Sequence, residues 1–396
     1  MTPLRETATQ RADRLVEAAV AAAGADDFGA DTWRTGLEIY LADLADHARL
    51  NEIGVGVAED GVVADLANRL RIEAWRKEHP AVAEQEVRQP VIIVGQPRTG
   101  TTILLDLLAQ DPANRAPLSW EVERPVPAPR TETYDTDPRI EECQAQFDLV
   151  DSFIPGFAAF HELGARLAQE DVRIFTGDFK SMQHALQFEV PTYNRWLLHE
   201  ADMSEAYAYH RRFLQHLQSE HHGERWLLKS PAHLWCLPDL MTAYPDAIVI
   251  QNHRDPLKVI ASISALGASL REMTTDHFEV TRLAQQYGED IVVGLDRALR
   301  ARADGVFDTG RVIDIRYQDI RHDLIAAVGR IYDQLGLELT AEVESRMRAF
   351  LAAHPGDQAG SLKRYSFADT GLDEGALRER VRAYQDYFDI ESEPLG

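Results

Sequence analysis

This chain of 396 residues has no long apolar run, few cysteines and no excess of positive charge. No run reaches the roughly 18 apolar residues that a membrane-spanning helix requires, so we expect no membrane span. The two cysteines, Cys143 and Cys236, argue against a disulfide framework or a cysteine-based metal site and favour a reducing, cytoplasmic compartment. The formal net charge of −24 argues against nucleic acid as a partner. An anionic ligand would need a local pocket of cations and backbone N–H donors.

The first 88 residues carry apolar residues at helical spacing and show no strand-like alternation. One such stripe contains Leu37, Tyr40, Leu41 and Leu44. We therefore expect residues 1–88 to form a helical cap region on the domain that follows.

Residues 89–396 alternate short apolar runs with helical patterns, as a P-loop-type domain does. Each run is short and rich in branched residues, which is typical of a buried parallel strand, and a helix follows it. The alternation predicts an α/β fold with a mostly parallel sheet flanked by helices, whose ligands bind beyond the C-terminal ends of the strands. The predicted strands are VIIVG (91–95), RWLLKS (225–230), AIVIQNHRD (247–255) and RVIDIRY (311–317).

The segment 112–222 interrupts this alternation as an irregular insertion on the acceptor side of the core. It contains the proline-rich stretch RPVPAPR and many aromatic residues, among them Phe175, Phe179, Phe188 and Tyr193. These aromatics fit either a second hydrophobic core or an apolar pocket for an acceptor.

The first predicted strand runs into a glycine-rich turn, QPRTGTT, which has almost the form of a phosphate-binding loop. Gly95 and Gly100 are spaced as in G-x-x-x-x-G-K-[ST], and such a turn binds phosphate through backbone N–H groups and the helix N-terminus. Thr101 stands at the position of the usual lysine, Thr102 adds a second hydroxyl, and Arg98 is the only cation of the turn. Without that lysine, binding of a nucleoside triphosphate with Mg²⁺ is disfavoured.

A second anion site is indicated after the third predicted strand. Arg254 ends that strand, and Ser262 follows eight residues later, about two helical turns on. A guanidinium and a hydroxyl that converge there suit a second, separate phosphate monoester. An ion pair between Arg254 and Asp255 is the structural alternative. A nucleotide with a 5′ anionic chain and an additional ribose phosphate would use both sites.

These residues resemble the donor site of sulfotransferases. QPRTGTT is similar to their 5′-phosphosulfate loop, and Arg254 with Ser262 is similar to their 3′-phosphate site. The resemblance runs from about residue 90 to 390 and includes WLLKSPAHLWCLPDLMTAYPDA, HRDPLKVIASI and IDIRYQDI. It is strongest to the bacterial KSPxHL-type enzymes and to the tyrosylprotein sulfotransferases. It implies 3′-phosphoadenosine-5′-phosphosulfate (PAPS) as the donor, 3′,5′-adenosine bisphosphate as the product, and no required metal.

The same resemblance implies catalytic roles by position. Lys229 and Arg98 would stabilise the leaving oxygen, and Glu121 would be the base that deprotonates the acceptor. Glu121 lies 23 residues after Arg98, at a spacing similar to that of the tyrosylprotein branch, beside a tryptophan. The sequence departs from the cytosolic pattern, because His233 lies four residues after Lys229 rather than two. His233 and His161 therefore stay open as alternative bases.

Further donor contacts are implied near the end of the chain. Tyr317 matches a family tyrosine near the adenine, with a strand-end core position as its alternative. GSLKRYSF (360–367) resembles the segment that folds over the donor, with a solvated basic loop as its alternative. The implied donor-binding residues are Arg98, Thr99, Gly100, Thr101, Thr102, Arg254, Ser262, Tyr317, Ser361, Lys363 and Arg364.

The expected acceptor is a small apolar molecule with a hydroxyl or amine, because the insertion is rich in aromatics and the net charge repels polyanions. A P-loop small-molecule kinase is one rival interpretation, and the missing lysine and the second phosphate site argue against it. A non-catalytic adenosine-bisphosphate-binding protein is another, and the presence of Arg98, Lys229 and Glu121 argues against it. The oligomeric state stays open, a homodimer included.

Overall fold

The computed structural model describes residues 6–153 (side chains to 149), 163–307, 310–354 and 366–395. Helices α1 to α10 are Ala8–Ala23, Arg34–Asp46, Glu52–Glu78, Thr101–Leu108, Ser119–Glu123, Pro138–Phe153, Asp171–Ile174, Met182–Gln187, Pro191–His199 and Met203–Gln218. Helices α11 to α17 are Leu237–Ala243, Pro256–Thr274, Val280–Ala303, Tyr317–His322, Leu324–Leu335, Ala341–Ala353 and Glu374–Phe388. Within the described ranges, no helix has both the length and the apolarity needed to cross a bilayer.

Five strands of the described residues form one sheet, in which every pairing is parallel. The strands β1 to β5 are Val91–Gly95, Asn114–Arg115, Arg225–Lys229, Ile248–His253 and Val312–Arg316, and their order in the sheet is β2-β3-β1-β4-β5. The four strands predicted from the sequence are confirmed as β1, β3, β4 and β5, and the α/β fold is confirmed with them. The sequence analysis did not predict β2, because two residues at a sheet edge are too short to form an apolar run.

Successive residues of β1 face opposite sides of the sheet, as the strand pleat requires. Ile92 and Val94 pack in the same hydrophobic cluster as residues of α10 to α13 and α17. Val91 and Ile93 pack with α4, α15 and α16 on the other side. The sheet is therefore covered by helices on both faces, which leaves the ends of its strands to form a site.

Helices α1 to α3 share a hydrophobic core with part of the insertion. Tyr40 of α2 packs there with Phe179, Phe188 and Tyr193. The ring centres of Tyr40 and Tyr193 are 5.7 Å apart, in an edge-on contact. Phe175 joins the cluster on one face of the sheet instead. Phe175, Phe179 and Tyr193 are therefore core residues, whereas Phe188 both packs in the core and lines a cavity.

The C-terminal ends of the strands bring four segments to one edge of the sheet. The glycine-rich turn follows β1, and Lys229 is the last residue of β3. Arg254 follows β4, and Tyr317 follows β5. Because parallel strands end at the same edge, these residues gather near the N-terminal end of α4, which is where ligands of open α/β sheets bind.

Candidate active site

The turn between β1 and α4 is held by its backbone geometry and by buried contacts. Gly95 and Gly100 adopt positive φ angles of 145° and 83°. A Cβ on Gly95 would lie 2.7 Å from the carbonyl oxygen of Asn252, so a larger residue does not fit. The Thr99 hydroxyl donates to the Gln96 carbonyl at 2.7 Å, and the Asn252 side-chain amide donates to the Thr99 carbonyl at 3.2 Å. The turn is therefore fixed at the start of α4.

This turn brings the first N–H groups of α4 to the edge of the sheet. Thr101 and Thr102 begin the helix, so their N–H groups have no acceptor within it. The N-terminal end of a helix also carries a positive partial charge. A Cβ on Gly100 would lie 3.3 Å from the Tyr317 ring, so glycine is required for this close approach as well as for the positive φ. The end of α4 thus has the donors that an anion requires.

Arg98 connects the turn to the segment after β4. Its Nε donates to the Ser262 hydroxyl at 3.1 Å, and its carbonyl oxygen accepts from the Arg254 guanidinium at 2.8 Å. The structure thus brings Arg98, Arg254 and Ser262 together. Among the described residues, the Ser262 hydroxyl is hydrogen-bonded to Arg98 and not to Arg254. Burial lowers the pKa of Arg98 below its ordinary value, and the charge of Arg254 acts in the same direction. A bound anion would offset both effects.

Lys229 ends β3, and only 1% of its side chain is exposed. Its Nζ donates to Thr102 Oγ1 at 3.0 Å and forms an ion pair with Glu170. The register of the sheet explains this reach, because Lys229 is aligned with Ile93 of β1, two residues before the strand ends at Gly95. The ammonium therefore lies at the first turn of α4, beside the free N–H groups of the helix.

Glu170 is a site residue that the sequence analysis missed. It immediately precedes α7, and its side chain is 18% exposed beside the Lys229 ammonium. The Gln169 N–H donates to the Pro117 carbonyl at 2.8 Å and so holds the segment before it. No local motif marks Glu170, because Lys229 lies 59 residues later in the chain. The one available signal is the adjacent pair of acids, Glu170 and Asp171, within the insertion.

Asp171 joins α7 to the turn that follows β3. His233 Nε2 lies 2.9 Å from Asp171 Oδ2, and His233 Nδ1 lies 2.8 Å from the Tyr207 hydroxyl. Burial lowers the pKa of His233; burial alone would raise the pKa of Asp171, but neighbouring histidines hold it below its usual value. A neutral His233 therefore donates to an ionised Asp171 and accepts from Tyr207. Both ring nitrogens of His233 are thus hydrogen-bonded in the core. Because Asp171 follows Glu170 directly, the Asp171–His233 hydrogen bond also holds Glu170 in place against Lys229.

Glu121 lies in a separate, fully buried cluster beside β2. Its carboxylate accepts from the Arg115 guanidinium at 2.7 and 3.2 Å, from the Tyr134 hydroxyl at 3.0 Å and from the Leu118 N–H at 2.8 Å. Although burial opposes it, the charge of Glu121 raises the pKa of Arg115. Within the described structure, none of these hydrogen bonds reaches the glycine-rich turn or Lys229. Glu121 thus belongs to a different hydrogen-bonded cluster from the other predicted site residues that the structure describes.

Arg254 and Tyr317 stack at the outer end of the site. The guanidinium carbon of Arg254 lies 3.9 Å from the centre of the Tyr317 ring. The same guanidinium donates two hydrogen bonds to the Glu393 carboxylate, at 2.9 and 3.1 Å. Asp255 pairs instead with Arg378 at 2.6 Å, so the alternative pairing of Arg254 with Asp255 is not formed here. The sequence-predicted residues that lie outside the described ranges are His161, Ser361, Lys363 and Arg364.

A cavity of about 180 Å³ lies between α3 and α8. Val57 and Phe188 contribute apolar surface to it, and Arg173 and His184 contribute polar groups. Arg173 follows Glu170 by three residues on α7, which is roughly 5 Å along the helix axis. Burial lowers the pKa of His184 to about 3, so its imidazole is uncharged at neutral pH. The lining of the cavity is therefore mixed, with apolar and polar groups side by side.

Known proteins that are similar to this chain are sulfotransferases. The family model described as "Sulfotransferase family" matches residues 90–341. The crystal structure of sulfotransferase STF9 from Mycobacterium avium has a TM-score of 0.88 at 32% sequence identity and covers 99% of both chains. That of sulfotransferase STF1 from Mycobacterium tuberculosis H37Rv has a TM-score of 0.83 at 30% identity and covers 94% of this chain and 98% of that one.

These matches define an enzyme of the PAPS-dependent sulfotransferase family, which transfers a sulfuryl group. The chain belongs to the sulfotransferase family, as its motifs predict. It is also 27% identical over 286 residues, 69% of each chain, to the omega-hydroxy-beta-dihydromenaquinone-9 sulfotransferase Stf3 of Mycobacterium bovis.

Proposed function

We propose that this enzyme takes its sulfuryl group from PAPS at the glycine-rich turn and passes it to the hydroxyl of an apolar small molecule. The observation that carries the proposal is the convergence of Arg98, Thr102 and Lys229 at the start of α4, with Arg254 in contact with Arg98. The donor supplies the sulfuryl group, and the chain supplies orientation and charge.

The 5′-phosphosulfate end of the donor fits the turn before α4. Gly95 and Gly100 permit this tight turn, because a Cβ at either position would crowd Asn252 or Tyr317. The free N–H groups of Thr101 and Thr102 are donors for phosphate oxygens. Arg98 adds a guanidinium that is already partly desolvated, so it gains more from an anion than a solvated arginine would.

The 3′-phosphate of the donor is assigned to Arg254. Its guanidinium has the fork geometry that binds a phosphate monoester through two parallel hydrogen bonds. Tyr317, stacked 3.9 Å from that guanidinium, offers an aromatic face for the adenine. Ser262 stays a donor-site residue in this proposal, because its hydroxyl orients Arg98 between the two phosphate sites.

Lys229 and Thr102 act on the oxygen that leaves with the bisphosphate. Negative charge grows on that oxygen as the sulfuryl group departs, and a preorganised cation stabilises it without further rearrangement. Lys229 is almost fully buried, so water screens its charge weakly. Glu170 balances the ammonium when no donor is bound.

Glu170 is the carboxylate placed to remove the acceptor proton. It adjoins Lys229 and keeps some exposure, so an acceptor hydroxyl has access to it. Glu121, the base expected from sequence spacing, is closed off because Arg115, Tyr134 and a backbone N–H occupy its oxygens. We therefore assign proton removal to Glu170 and a structural role to Glu121.

The cavity between α3 and α8 is the proposed site of an uncharged acceptor, because the charged Arg173 in its mixed wall is already paired with a carboxylate. Its wall combines Val57 and Phe188 with a neutral His184, and Arg173 is within one helical turn of Glu170. Its volume of about 180 Å³ is close to that of an apolar cavity that holds one benzene ring. The relative Stf3 is named for a hydroxylated menaquinone. Such a molecule is also an apolar alcohol, the class of acceptor proposed here.

We also infer a cytoplasmic location from the cysteines. Cys143 and Cys236 are both free and buried. Burial raises the pKa of both thiols to about 12, so they stay protonated and unreactive at neutral pH. Thiol titration of the denatured protein taken directly from its cells should count two free thiols, and a lower count would contradict the inference.

Thermal unfolding in EDTA tests the proposed donor site. Adenosine bisphosphate should raise the unfolding midpoint, since a ligand at one hundred times its Kd stabilises the folded state by about 2.7 kcal/mol. ATP with Mg²⁺ at the same concentration should shift it far less, because the turn lacks the lysine of a triphosphate loop. Stabilisation by ATP with Mg²⁺ alone would contradict the proposal and favour a kinase.

A further inference from the structure

The segment that follows α17 crosses the outer end of the proposed donor site. Asp389 forms an ion pair with Arg316 of β5 at 2.9 Å. Further on, the Leu395 carbonyl accepts from the Phe367 N–H at 3.3 Å. The segment 389–395 is therefore anchored near both of its ends.

Glu393 lies between these anchors and pairs with Arg254. The two hydrogen bonds, Nε to Oε1 at 2.9 Å and Nη2 to Oε2 at 3.1 Å, form a bidentate pair. The Glu393 N–H also donates to Asp255 Oδ2 at 2.7 Å, and Arg378 holds that carboxylate. The Arg254 and Glu393 side chains are only 15% and 19% exposed. A carboxylate thus occupies the guanidinium fork in the way that a phosphate would.

The space beside Arg254 is too small for a phosphate while Glu393 stays in place. The cavity lined by Arg254, Tyr317 and Glu393 measures about 10 Å³, which is room for about one water molecule. Asp389 and Glu391 line the same cavity, and Asp389 is paired there with Arg316. A phosphate reaches Arg254 only when Glu393 moves away.

We propose that Glu393 is an intramolecular competitor for the 3′-phosphate of donor and product, an inference that rests on the proposed donor site. Binding exchanges one anion for another on Arg254, so the buried guanidinium is never left unpaired. The exchange weakens the net affinity for any nucleotide with a 3′-phosphate and returns Glu393 to Arg254 as the product leaves. A nucleotide without a 3′-phosphate leaves the pair intact. Glu393 therefore sets how tightly the bisphosphate product is held.

Calorimetric titration of the full chain tests the proposal with point variants. Glu393→Gln keeps the shape of the side chain but removes its charge. It should bind 3′,5′-adenosine bisphosphate roughly five- to thirtyfold more tightly than the wild type, the range for losing one competing ion pair. Glu379→Gln removes an exposed charge from α17, where Glu379 pairs with Arg382 rather than Arg254, and it should change the Kd by less than about twofold. Adenosine 5′-phosphosulfate, which lacks the 3′-phosphate, should bind the wild type and Glu393→Gln equally.

Each of the other outcomes is informative. Equal bisphosphate affinity in Glu393→Gln and wild type, with Arg254→Ala weakened, would overturn the competitor role and leave the donor site standing. Weaker binding by Glu393→Gln would show that Glu393 supports the nucleotide and would overturn it too. A wild type that does not bind the bisphosphate would contradict the proposed function itself. Equal unfolding midpoints of the two glutamine variants without ligand would confirm that both chains are folded alike.

Discussion

Two glutamate-to-glutamine changes should differ in their effect on turnover, because Glu170 and Glu121 lie in different surroundings. Glu170→Gln removes the carboxylate beside Lys229 without altering its shape. Turnover should fall by about 10²–10⁴, the usual contribution of a positioned base. Affinity for the bisphosphate should be unchanged or tighter, because Lys229 loses a competing anion. The free energy of unfolding should fall as well, because Lys229 is 1% exposed and loses its counter-charge, so turnover is compared per folded molecule.

Glu121→Gln should lower the free energy of unfolding and leave turnover nearly unchanged. Glu121 is fully buried and Arg115 is 4% exposed, so the substitution leaves a buried guanidinium without its counter-charge. Breaking one side of a buried ion pair destabilises a protein by about 3–5 kcal/mol. Arg115 keeps its bond to the Leu217 carbonyl at 3.1 Å and its stacking on Trp226, which places the expected loss toward the lower end of that range. Turnover per folded molecule should stay within about threefold of the wild type.

The assay combines urea unfolding with the release of bisphosphate from PAPS, measured over a panel of phenols of decreasing pKa. If Glu170 is the base, the defect of Glu170→Gln should shrink with the most acidic phenols, which have already lost their proton at neutral pH. The reasoning is refuted if Glu121→Gln is stable but loses turnover a hundredfold while Glu170→Gln keeps it. In that case, the sequence-based assignment of the base to Glu121 is correct.

Three further changes test the donor contacts and a buried acid. Arg254→Ala should weaken bisphosphate binding by roughly 1.5–3 kcal/mol in calorimetry while leaving adenosine 5′-phosphosulfate unaffected; an equal loss for both nucleotides contradicts the assignment of the 3′-phosphate. Lys229→Ala should lower turnover by about 10²–10³ to the same extent with every phenol, because the leaving group is unchanged; a defect that shrinks with acidic phenols would place Lys229 on the acceptor side. Burial raises the pKa of Asp290 from 3.8 to about 7, so the stability it contributes is complete below about pH 4 and is lost as the pH rises through about 7. Asp290→Asn, which cannot ionise beside Asn194, should therefore gain about 1–3 kcal/mol in unfolding free energy relative to wild type between pH 5 and pH 8.5, and parallel pH profiles would contradict the shift.

The scaffold of the site was predictable from local sequence, because each of its parts is a short-range pattern. VIIVG followed by QPRTGTT predicts a buried strand and a turn that requires glycine, and the structure has both. The strand-end positions of Lys229, Arg254 and Tyr317 follow from the same alternation of apolar runs and helices. Because these patterns are local, a single sequence is enough to predict that these strand-end residues lie at the same edge of the sheet.

The partners of these residues were not predictable in the same way, because they depend on contacts between distant segments. Spacing from Arg98 selected Glu121, but the arginine that neutralises it is on β2, a strand too short to recognise. Glu170 meets Lys229 only because the insertion folds back over the sheet. The pairing of Glu393 with Arg254 joins residues 139 positions apart, and no periodicity reports it.

A crystal structure of the protein with 3′,5′-adenosine bisphosphate, grown without metal, tests the assignment of the donor site most directly. The account predicts the 5′-phosphate within hydrogen-bond distance of the Thr101 and Thr102 N–H groups and of Arg98. It predicts the 3′-phosphate on Arg254, with Glu393 displaced from the guanidinium. A nucleotide bound away from the start of α4, or a 3′-phosphate that leaves the Arg254–Glu393 pair intact, would contradict it.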